Sequence, residues 1–152
     1  MRYLIWYLCL VAMSLFNSTT AALDRKVRGP IVRKHNELRN LVAAGKASGA
    51  NGKPTPTAAL MYKLEWDTEL ERRAQKWADT CPFGRHDKKR KGTGENMAAD
   101  SRKAKPLQII LAMIQRWFDE IKNAPINYSR LNRNVGAHKM GHYTQVQFLD
   151  CC

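Results

Sequence analysis

Apolar residues along the chain gather into a few runs set apart by polar, glycine-rich stretches. From Asp24 to Ala44, Val27, Ile31, His35, Leu38 and Val42 recur at steps of three and four, one face of a 3.6-residue period. The spacing predicts a first helix, with Pro30 near its first turn and Gly45 as a natural stop. Residues 45–56 are rich in Gly, Pro, Ser, Thr and Asn and read as an exposed loop. A second helix is expected after Trp66, opened by a Thr68/Glu71 capping box, lined by Leu70, Ala74, Trp77 and Cys81, and ended by Pro82 and Gly84. Residues 85–101 turn polar. A third helix follows, with Pro106 in its first turn and a wide buried stripe from Ile109, Ile110, Met113 and Ile114 to Trp117, Phe118 and Ile121; Asn123 and Pro125 close it. Residues 142–148 then alternate, His142, Thr144 and Val146 one way and Tyr143, Gln145 and Gln147 the other, which predicts a strand. A shorter strand is expected near Glu95 to Ala98. No internal repeat appears, so one domain is expected.

The start of the chain reads as something other than fold. Arg2, the apolar run Tyr3 to Phe16 and the small residues before Leu23 have the layout of a secretory leader, residues 1–22, with Thr20 and Ala22 at the cleavage positions. The apolar run is too short to span a bilayer, and no other segment is long enough, so no membrane span is expected. A secreted, extracellular protein follows, its domain filling residues 23–152.

Composition sharpens that picture. The 152 residues carry 26 Lys and Arg against 13 Asp and Glu, a formal charge of +13, and removing the leader takes away only Arg2. Such a surplus suits sulfated glycans or anionic lipid headgroups as well as it suits plain solubility. Nucleic acid is not expected as a partner of a secreted chain. The densest run is Arg85, Lys88, Lys89, Arg90 and Lys91, a candidate basic patch that Arg102, Lys103 and Lys105 would extend. Asn127-Tyr128-Ser129 is a glycosylation sequon on a polar loop. Cys9 leaves with the leader, and Cys81, Cys151 and Cys152 remain, an odd number in an oxidising compartment. One thiol therefore stays free or pairs with another molecule.

Five segments carry a resemblance. Gly141-His142-Tyr143-Thr144-Gln145-Val146, Gly94-Glu95-Asn96-Met97, Arg116-Trp117-Phe118-Asp119-Glu120-Ile121, His35-Asn36-Glu37-Leu38-Arg39, and Leu64-Glu65-Trp66-Asp67 with Ala74-Gln75-Lys76-Trp77-Ala78 together resemble the CAP superfamily of venom allergens, cysteine-rich secretory and pathogenesis-related proteins. They stand in the family's order, from about Arg28 to Val146. The resemblance implies an α+β fold, an α-β-α sandwich with a small antiparallel sheet between helices. It also implies a cleft tetrad of His86, Glu95, Glu120 and His142. The family continues beyond this point with further strands, whereas this chain runs Gln147 to Cys152. The last strands are therefore expected to be missing, the chain being a partial sequence, a splice product or a gene-model error.

The tetrad is also where chemistry is expected. His86 and His142 would offer two imidazole nitrogens to a divalent metal ion such as zinc, weakly held, with Glu95 and Glu120 orienting them. No nucleophile with a matching base is visible, so catalysis is not expected. The resemblance implies a secreted binding protein with a lipid, sterol or host-receptor partner and an immune or defence role. The rivals are a metal-assisted hydrolase using the His/Glu cleft and a basic glycan-adhesion protein.

Overall fold

The computed structural model describes residues 25–82, 84–89, 92–101, 103–123 and 137–147. The leader, Arg90, Lys91, Arg102, Pro125, Asn127, Phe148, Cys151 and Cys152 lie outside the described residues. Helix α1 is Arg25–Ala43, α2 Thr68–Ala78, α3 Pro106–Asp119 and α4 Ala137–Gln147. Short 3-10 turns occupy Ala50–Gly52 and Glu120–Asn123.

The periodicity of α1 and α3 dictates how they pack. Ile31 and Leu38 lie two turns apart on α1 and are buried against Ile114, with Val27, Trp66, Leu107, Ile110, Leu111, Trp117 and Phe118 closing round them. A second cluster joins Ala47, Ile121 and Tyr143, with Val42 and Phe118 against it. Phe118 touches both, so the α1–α3 interface runs on into the contact with α4. Lys34 Nζ also donates to Gln115 Oε1 across α1 and α3 at 2.7 Å.

α1 ends where its glycine lies. Gly45 takes φ +66°, and the amides of Gly45 and Lys46 donate to the carbonyls of Val42 and Leu41. That is the Schellman pattern, which satisfies carbonyls the helix leaves free. The place of Pro30 differs from expectation: in the described helix Arg25–Ala43 it sits inside, withdrawing a backbone donor, rather than in the first turn.

The cap of α2 also needs correcting. Asp67 accepts from the amides of Glu69 and Leu70, both at 2.8 Å, and Thr68 is the first helical residue. An aspartate one residue earlier supplies the cap, and tertiary partners recruit Glu71 instead of the box. Glu71 accepts from Trp66 Nε1 at 2.7 Å and pairs with Arg28 at 3.0 Å. α2 has no buried residue, and Leu70 on its apolar face is 47% exposed.

The expected strand over residues 142–148 is contradicted: residues 137–147 are helical. Alternation in this segment is a by-product of its mixed polarity. Helical geometry lets Tyr143 bury itself against Ala47, Ile121 and Phe118, its ring meeting that of Phe118 edge-on at 6.1 Å. Residues 95–98 form no strand, and β pairing among the described residues is an isolated antiparallel bridge between Ser48 and Pro54.

Candidate functional site

Two histidine–carboxylate pairs form. His86 Nδ1 lies 3.0 Å from Glu95 Oε2, which also accepts the Asp87 amide at 3.1 Å. His142 Nδ1 lies 2.7 Å from Glu120 Oε1. The other oxygen of Glu120 accepts the amides of His142 and Tyr143, each at 3.1 Å. Each carboxylate thus grips both an imidazole and the backbone beside it, and each is less exposed than its histidine. The Trp117 ring stacks on His142, centroids 5.7 Å apart and planes 16° from parallel.

The geometry explains why these residue types stand in these motifs. Glu120 opens the turn that ends α3, one residue before buried Ile121, so its carboxylate faces the backbone of α4. Asn96 Nδ2 donates to the His142 carbonyl at 2.9 Å, so the residue after Glu95 reaches over to the second pair. Gly94 lies under the Gln145 side chain, which occupies the space a β-carbon would need. The Gly94-Glu95-Asn96 segment and the His142-to-Gln145 segment therefore interlock residue by residue.

A buried scaffold stands behind them. Asn36 exchanges two hydrogen bonds with the backbone of Leu64, at 2.8 and 2.9 Å. Arg39, 2% exposed, donates to the carbonyls of Val146 at 2.6 Å and Tyr62 at 2.8 Å. The His-Asn-x-x-Arg motif thus ties α1 to α4 and to the chain before α2. Its side-chain work was not legible, because nothing local says which distant carbonyl a guanidinium will meet. His35 is largely buried, and burial first and Arg39 second push its pKa down to about 4.

The tetrad forms two pairs joined through Asn96. Among the described residues, no group of three or more His, Cys, Asp or Glu is placed to hold a metal ion. With both Nδ1 atoms engaged, Nε2 is the nitrogen each imidazole has left for a ligand. A hollow of about 220 Å³ lies beside Glu95 and Asn96, walled by Leu70, Ala74 and Trp77 of α2. A larger one, about 430 Å³, is lined by charged and polar residues around Arg28 and Lys76. Arg85, Lys88 and Lys89 of the basic run are exposed, and so is Cys81. No described helix is long and apolar enough to cross a membrane.

Comparison with known proteins bears on all of this. The family model for the cysteine-rich secretory protein family (CAP) matches residues 32–147. The chain is 37% identical over 133 residues to venom allergen 3 homolog of Dinoponera quadriceps, covering 84% of this chain and 57% of that protein. It is 41% identical over 123 residues to venom allergen 3 of Solenopsis invicta, covering 76% and 52%. The chain therefore spans little more than half the length of these relatives. Among solved structures, that of NaASP2 with Zn2+ is similar at a TM-score of 0.76 and 28% identity, covering 86% of this chain and 70% of that one. The structure of BmVAL-1 is similar at a TM-score of 0.72 and 28% identity, covering 87% and 68%.

Proposed function

The chain belongs to the cysteine-rich secretory protein (CAP) family, and on that premise we propose that it is a secreted, venom-allergen-like protein that acts by binding. Proteins of this family are generally not enzymes. The partner classes this reading favours are a lipid or sterol and a host receptor. The same membership supports an α-β-α sandwich as the arrangement in which these helices take part.

The observation that carries the reading is the pair of dyads. Each imidazole is held through Nδ1 by a carboxylate, which fixes its ring and leaves Nε2 as a lone-pair donor. That is how ligating histidines are usually supported. The ion this reading proposes is a divalent one held by two nitrogens, from His86 and His142, with water completing the shell. Two protein ligands give a weak and open site. Zinc is the ion proposed, by likeness to NaASP2. A bound ion would supply positive charge for an anionic ligand group. Glu95 and Glu120 orient the rings and hold the neighbouring amides.

Expression of the full chain in a secretory host, followed by hydrolysis assays with and without zinc, tests this. The protein should reach the medium starting near Leu23, bind zinc saturably and turn over no ester or peptide probe. Retention in the cytosol with Met1 intact contradicts secretion. Zinc-dependent turnover lost in His142→Ala would favour a hydrolase.

A further inference from the structure

We propose that the hollow beside Glu95 binds a small organic cation, a primary amine carried on a single apolar ring. Two unlike walls make the hollow. α2 supplies Leu70, Ala74 and Trp77, at successive turns of one face, so an apolar stripe lines the space. Among the described residues nothing buries that stripe: α2 has no buried residue, and Leu70 is 47% exposed. The Trp77 indole is fixed by its own hydrogen bond, Nε1 donating to the Arg85 carbonyl at 3.1 Å. The opposite wall is polar and carries the carboxylates of Asp87 and Glu95.

Asp87 marks the charge of the ligand. It is partly buried, its Oδ1 accepts the Lys89 amide at 2.8 Å, and its Oδ2 accepts no hydrogen bond from the described residues. A partly buried carboxylate oxygen left without a donor is costly, and an ammonium group would satisfy it. Glu95 adds a second negative charge, held in place by the Asp87 amide and His86. Among the described lining residues the cation is Arg73, which donates to Thr93 Oγ1 at 3.3 Å. Two carboxylates against one guanidinium leave the lining one unit negative, in a chain whose formal charge is +13. Arg85, Lys88 and Lys89 are exposed and do not line the hollow, so water and salt screen them from it beyond roughly 8 Å. At about 220 Å³ the space is smaller than the roughly 300–1,000 Å³ of drug-sized pockets. It suits one ring with a short arm and is too small for a sterol.

The full chain is titrated by calorimetry with phenethylamine at about pH 7.5, where an amine of the lysine type is charged. Zinc is withheld, so the outcome does not depend on whether His86 holds a metal. Phenethyl alcohol, neutral and nearly the same in shape, is titrated beside it. The amine should bind once per chain with a Kd of about 1 mM or tighter, and the alcohol at least about tenfold more weakly. Asp87→Asn should bring the amine to within about threefold of the alcohol. Asp79→Asn, the same charge loss at the exposed end of α2, should change amine binding by less than about threefold. Ala74→Leu fills the hollow from an exposed helix position and should abolish binding of both probes. Melting curves show which variants fold, and the amine against the alcohol on the unaltered chain decides the matter if none does. Equal binding of the two probes, or no saturable binding of the amine, overturns the proposal. So do equal losses in Asp87→Asn and Asp79→Asn, or undiminished binding by folded Ala74→Leu.

Discussion

The space a β-carbon at Gly94 would take is filled by the terminal amide of Gln145, the far end of a flexible side chain. That amide can turn aside, so Gly94→Ala should cost less than about 1 kcal/mol in denaturant unfolding, below the usual range for overpacking. A loss of about 3 kcal/mol, recovered in Gly94→Ala/Gln145→Ala, would show that Gln145 is held in place. His35 makes a second prediction at this scale. Its folded pKa of about 4 lies below the ordinary 6.5, so the unfolded chain binds the proton more readily between those values. The stabilisation is complete above about pH 6.5 and falls as pH drops toward 4, by up to about 3 kcal/mol. Melting of His35→Gln followed from pH 7 to 4 should lack that part of the slope, and an unaltered slope would assign it elsewhere. His86, Glu95, Glu120 and His142 were legible because a family motif named them. The pairing of each histidine with one carboxylate was not, since sequence separation says nothing of which oxygen meets which ring.

Helix α2 shows how a cap can be misread by one residue. Asp67 and Thr68 both suit an N-cap, and only the structure tells that Asp67 holds the amides. Asp67→Ala should cost about 0.5–2 kcal/mol in chemical unfolding. Thr68→Ala should stay within about 0.5 kcal/mol; the reverse order would restore the capping box. α1 and α3 were readable as elements because their apolar stripes repeat over several turns. α4 was not. Its apolar residues Ala137, Met140, Tyr143 and Val146 come every third position, a spacing that drifts about 60° around a helix at each step and leaves no clean stripe. The local alternation after Gly141 then looked stronger than it was. What decides the helix is long-range: Tyr143 buried on Ile121, and the Arg39 guanidinium on the Val146 carbonyl.

At the scale of the molecule, the motifs along the chain serve one end. Arg39 and Asn36 tie α1 to the segments around it, Gly94 to Asn96 lock against α4, and Glu120 hands the end of α3 to His142. The central claim is that these ties bring His86 and His142 to bear on one cleft through their Nε2 atoms. Zinc titration by calorimetry across the four members of a His86→Ala, His142→Ala cycle tests it most directly. The account predicts a single event of one ion per chain, lost to a similar degree in each single variant and no further in the double. Two events, or losses that add between the single variants, would contradict a shared site.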